Sequence, residues 1–188
     1  DGDNRVIATG GDDTMLKLWD LRLGGGAPRP VGKVPRGAGV TCIVEPPGLP
    51  HLLVVGSYDG CGGVFDRRRL VREPLGELRE PLGGGAWRVR SVGLPEGSGG
   101  GEGGLVFLVA AMQGGAAVVT MDRGTAAMAT SLTFHTPDET SDGDRTLVYD
   151  VVPLNAGRAE GGDWCLDVAT TSFYPQKLRR WRVAVPNA

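Results

Sequence analysis

The chain has 188 residues, 40% of them hydrophobic, and a formal net charge of −2. That length supports one core of ordinary size, and the near balance of charge excludes a global pull toward nucleic acid or an anionic membrane surface. No apolar run reaches the roughly 18 residues of a membrane span, and the scattered Cys42, Cys61 and Cys165 make neither a disulfide frame nor a Cys-x-x-Cys zinc motif.

In chain order, residues 6–9 read as a short strand and Gly10-Gly11-Asp12-Asp13 as a turn. Residues 14–21 read as a second strand that closes on Trp19-Asp20. This is the hairpin of a WD repeat, the four-stranded blade of a β-propeller. Residues 31–34 supply a weak outer strand, and no inner strand is found ahead of Val6. A second copy follows, with strands at 40–44, 52–56, 63–66 and 75–78. Asp59 sits in its turn and Phe65-Asp66 in the Trp-Asp place. Each turn aspartate, Asp13 or Asp59, precedes the aromatic residue by 6 positions, and Trp19 and Phe65 are 46 residues apart. The repeat period is about 40–45 residues.

A third blade starts near Trp87. A Gly-rich insertion at 97–104 precedes strands at 105–111, 116–121 and 130–134, and Val119-Thr120 occupies the Trp-Asp place. The fourth starts at Leu147-Val148-Tyr149. A polar insertion is expected at 155–162, then a strand at 165–171 and a last one carrying Trp181. The expectation is an all-β WD-repeat β-propeller of four consecutive blades, at about 1–38, 39–83, 84–136 and 137–188, with little helix. WD-repeat rings most often have seven blades. N-terminal blades are therefore expected to be needed for ring closure, and residues 1–188 alone are expected to be poorly soluble and inactive, because open blade faces and edges aggregate.

Several segments resemble one WD-repeat family more closely than the generic repeat. They are Gly10-Gly11-Asp12-Asp13 with Trp19-Asp20-Leu21-Arg22, Gly56-Ser57-Tyr58-Asp59 with Asp66-Arg67-Arg68, and Gly84-Gly85-Ala86-Trp87-Arg88. To these add His135-Thr136 ahead of Leu147-Val148-Tyr149, and Ser172-Phe173-Tyr174 followed by Trp181. Together they resemble diphthine methyl ester hydrolase, the WD-repeat enzyme of diphthamide biosynthesis. The chain departs from the family's pattern at Asp150, Pro175 and Phe65. The resemblance implies a seven-bladed propeller without a cofactor or metal, acting in the cytoplasm. Its implied partner is translation elongation factor two, from whose modified histidine the family removes a methyl ester.

Strand alternation places the loop into each first strand and the turn between the second and third strands on one face. Tyr58, Asp59, Trp87, Arg88, His135, Tyr149, Phe173 and Tyr174 fall there, and His51 falls on the opposite face. His135 is the candidate base, since histidine titrates near neutral pH, and Asp59 is a second candidate catalytic group. No Gly-x-Ser-x-Gly nucleophile elbow is present. Trp87, Arg88, Tyr58, Tyr149, Phe173 and Tyr174 are the candidate substrate-binding set. The substrate that the resemblance implies carries a trimethylammonium group, which aromatic faces can hold. Propeller topology by itself suggests a non-catalytic scaffold for protein partners on this face, whereas the resemblance favours the esterase.

Overall fold

A computed structural model describes residues 5–23, 29–78, 81–92, 104–134, 147–158, 164–173 and 176–185. They form four antiparallel sheets with no helix among them. Blade one is β1 (Val6–Thr9), β2 (Met15–Asp20) and β3 (Gly32–Pro35). Blade two is β4 (Val40–Val44), β5 (Leu52–Ser57), β6 (Gly62–Asp66) and β7 (Gly76–Glu77). Blade three is β8 (Arg88–Val92), β9 (Leu105–Ala110), β10 (Ala116–Met121) and β11 (Met128–Phe134). Blade four is β12 (Val148–Arg158), β13 (Trp164–Ser172) and β14 (Leu178–Val185).

The chain forms four consecutive propeller blades because its middle strands are apolar on both sides. β5 and β9 are buried along their whole length, as expected of a strand covered by a sheet on each face. Successive side chains alternate between faces. Leu53, Val55 and Phe65 thus pack against Leu16 and Leu18 of blade one. Val54 and Val64 pack against Val89, Phe107 and Val119 of blade three. Leu108 and Val118 meet Val151, Leu166, Val168 and Val183 of blade four.

The same alternation fixes where each Trp-place residue points. Phe65, Val119 and Trp181 all face the preceding blade. Trp181 meets Phe134 of blade three edge-on, with ring centroids 6.0 Å apart. Trp19 stands on the face of blade one away from Leu16 and Leu18, half-buried and outside the described cores. The indole N–H groups of Trp19 and Trp181 each donate to a threonine on the neighbouring strand, Thr9 and Thr170, both at 2.8 Å. In blade two the smaller Phe65 is covered by the guanidinium of Arg36, 5.2 Å from its ring centre, which also reaches Glu77 at 3.2 Å.

One detail of the sequence reading changes. The first four positions of the expected polar insertion at 155–162 are strand instead, because β12 runs on to Arg158 and pairs with Trp164–Asp167 of β13. Ala156 packs on the core there and Arg158 lies 5.4 Å over the Trp164 ring, which makes extension favourable in a polar stretch. The strand ends carry ion pairs: Arg67 bonds Glu45 at 2.5 Å, and Arg68 clasps Asp66 just as Arg22 clasps Asp20. The guanidinium of Arg22 holds the Asp20 carboxyl down to about 2.

Candidate functional site

The site lies where the blades are stitched together on one face. In each junction a backbone N–H entering one blade donates to the end of the preceding blade's second strand. Val40 donates to Gly11, Ala86 to Ser57 and Val148 to Met112, each at 3.0 Å. These bonds bring the turns and entering loops of neighbouring blades together.

Gly84 and Gly85 make a tight passage. A Cβ on Gly84 would run into the carbonyl oxygen of Ala111, and one on Gly85 would lie 3.0 Å from the Met112 sulfur and 3.1 Å from the Tyr58 carbonyl oxygen. The chain can thread between the hairpins of blades two and three only without side chains there. The next residues, Ala86 and Trp87, are fixed by the Ala86 bond to Ser57 and by a Trp87 N–H bond to Ala110 at 2.9 Å.

Trp87 is thereby set in a row of rings. Its centroid is 5.7 Å from Tyr58 and 5.4 Å from Tyr149, the latter edge-on, and Tyr149 is 5.3 Å from Phe173. Four rings from blades two, three and four form one continuous surface, in the tilted and edge-on arrangements that ring quadrupoles favour. Two of the rings reach solvent: Tyr58 is 43% exposed and Phe173 59%. Such surfaces suit cations and flat or methylated groups.

The polar groups around the row are sorted by burial. Asp59 accepts from the buried Ser57 hydroxyl and, at 3.0 Å, from the Cys61 amide, so its Oδ1 closes the turn. Arg88 is exposed beside Trp87. Arg90, two residues on, meets Asp150 of blade four at 2.9 Å. Burial pushes the Cys42 thiol up, and burial with the Asp59 carboxylate nearby does the same to Cys61. Neither thiol is thus poised as a thiolate at neutral pH. Among the described residues no three His, Cys, Asp or Glu side chains cluster to hold a metal ion.

No family model matches the chain. Over 96 residues it is 34% identical to the diphthine methyltransferase homolog of Dictyostelium discoideum, an overlap of 47% of this chain and 26% of that protein. Over 86 residues it is 37% identical to diphthine methyltransferase of Mus musculus, covering 45% of this chain and 17% of that protein. Its fold aligns with a chain in the crystal structure of the mitotic checkpoint complex at a TM-score of 0.58 and 11% identity, over 99% of this chain and 50% of that one. Over about half of its length the chain is similar to diphthine methyltransferases, and its fold is that of part of a β-propeller. It spans between 17% and 26% of the length of these two relatives.

The fold brings Tyr58, Trp87, Tyr149 and Phe173 of the sequence-derived set into contact. Asp59 adjoins Tyr58 in the same turn, and Arg88 follows Trp87. His135 and Tyr174 lie outside the described residues. Sequence reasoning missed Arg90 as a site residue. The alternation along β8, which puts Arg90 on the same side as Arg88, was the available signal. It met Asp150 only as a departure from the family's pattern, whereas the structure gives that carboxylate a partner 60 positions away.

Proposed function

We propose that this chain is part of an esterase that removes the methyl ester of methylated diphthine from translation elongation factor two, a step of diphthamide biosynthesis. The observation that carries this reading is the 34–37% identity to proteins named diphthine methyltransferase or its homolog. The aromatic row supports it. A quaternary ammonium cannot donate a hydrogen bond, so ring faces and nearby carboxylates are what hold it, each ring contributing roughly 0.5–2 kcal/mol. In this reading Trp87, Tyr58, Tyr149, Phe173 and Tyr174 grip the cation, and Asp59 adds negative charge. Arg88 steadies the ester carbonyl and His135 activates water. The substrate would place the enzyme in the cytoplasm.

The test uses the full-length protein and elongation factor carrying the methyl ester. Methanol released with no methyl donor present supports the reading. Methyl incorporation that depends on an added methyl donor, without methanol release, overturns it.

Trp87 gives a sharper check. Trp87→Ala is expected to raise KM for the trimethylammonium substrate by about 2- to 30-fold, the factor equivalent to one ring. KM for an ester bearing a primary amine should change less, and kcat little for either. Equal KM effects on both substrates would remove the cation-binding role.

A further inference from the structure

The inner strands on either side of Trp87 are both irregular, and both irregularities bear on it. In β12, Val148 pairs with Ser172 and Asp150 with Thr171, so Tyr149 is an extra residue bulged out of the ladder. In β4, Val40 pairs with Ser57 and Cys42 with Gly56, so Thr41 is the corresponding extra residue. The inner strand between them, β8, pairs with β9 without interruption. Bulges re-aim side chains, and this pair aims one at Trp87 and the other at the residue before it. The Tyr149 ring reaches Trp87, and the Thr41 hydroxyl donates to the carbonyl oxygen of Ala86, the residue before Trp87.

The Tyr149 bulge is tied down from the strand that carries Trp87 into its place. Nη2 of Arg90, three residues beyond Trp87, donates to both oxygens of Asp150 at 2.9 and 3.2 Å. The Asp150 carboxylate also accepts from the Val151 amide at 2.9 Å, which fixes it against its own strand. One forked ion pair thus links β8 to the residue that follows the bulge. An exposed pair contributes little to global stability. Its geometric effect is different, because a two-pronged contact fixes direction as well as distance.

We propose that Thr41, Arg90 and Asp150 are positioning residues for the aromatic row: the paired bulges in blades two and four hold Trp87 between Tyr58 and Tyr149. This rests on the row being the substrate-binding surface of the esterase reading. None of the three needs to touch the reacting atoms.

The experiment uses full-length protein with Asp150→Asn, Thr41→Val, Thr41→Ser and the charge exchange Arg90→Asp with Asp150→Arg. Two readouts are taken: steady-state kinetics on the methylated elongation factor, and near-UV circular dichroism, in which coupled Trp and Tyr rings give a signal. Asp150→Asn and Thr41→Val are expected to raise KM about five- to tenfold with kcat changed by less than about twofold, and to reduce the near-UV signal. The same substitutions in a Trp87→Phe background should leave that signal unchanged. Thr41→Ser and the charge exchange should recover most of both. If Asp150→Asn fails to fold, Thr41→Val and its Ser rescue decide the matter. Unchanged KM and unchanged near-UV signal in folded Thr41→Val and Asp150→Asn would overturn the proposal. If the wild type releases no methanol, the esterase reading fails by itself. The clamp on Trp87 is then supported by a Trp87-dependent near-UV change and overturned by its absence.

Discussion

His135→Ala in the full-length protein is expected to lower kcat for ester hydrolysis by about 100- to 10,000-fold while KM stays within about threefold, the signature of a lost general base. The expectation comes from elimination as much as from histidine's titration range. His51, the only other histidine, enters β5 on the opposite face. Cys42 and Cys61 have thiols pushed up by burial. The Ser57 hydroxyl is fully buried and spent on Asp59 and the Cys61 carbonyl. Ser172 is buried as well, with its hydroxyl on the Lys177 carbonyl at 3.3 Å. In the sequence His135 follows directly on Phe134, the last residue of β11. Steady-state kinetics and a pH–rate profile check it. A kcat within tenfold of wild type, or an acidic limb still reporting a group titrating near neutrality, would remove His135 as the base.

Phe107→Ala is expected to cost about 3–5 kcal/mol of stability, the range for deleting a buried aromatic side chain. Phe107 is completely buried on β9, in the interface where blade three meets Leu52, Val54 and Val64 of blade two. Its strand is covered on both faces, so neighbours can collapse into the gap only by moving a whole blade, and the cavity should persist. Phe107→Leu keeps most of the volume and should cost less than half as much. Chemical denaturation of the full-length protein measures both. A cost under about 1 kcal/mol for the alanine variant would mean that blades two and three are not packed as described.

The blades were legible in the sequence because their information is local. Alternation and short apolar runs mark β5, β6, β9 and β10, and Gly- and Asp-containing turns mark their ends. The spacing from Asp13 to Trp19, repeated from Asp59 to Phe65, identified equivalent hairpins before any contact was known. The extension of β12 to Arg158 was not legible. Its residues 155–158 are polar or small, and their pairing depends on Trp164 and β14 lying alongside. Propensity is overridden there by the neighbouring strand.

The site divides along the same line. Loop order alone put Tyr58, Trp87, Tyr149 and Phe173 on one face, since the direction of each strand follows from the hairpins before it. That the rings touch was decided by the tertiary structure. Contact needed the junction bonds of Ala86 and Val148, the side-chain-free passage at Gly84 and Gly85, and the bulge at Tyr149. A one-residue bulge turns a side chain to another direction without leaving a mark in composition or period. The pairing of Arg90 with Asp150 was out of reach for the same reason. It spans 60 positions and two blades, and it exists only because the propeller sets β8 beside β12. The sequence by itself determined which strands form and which face their loops share, because those are set by neighbours along the chain. Only the packing of whole blades decided which of those loop residues meet.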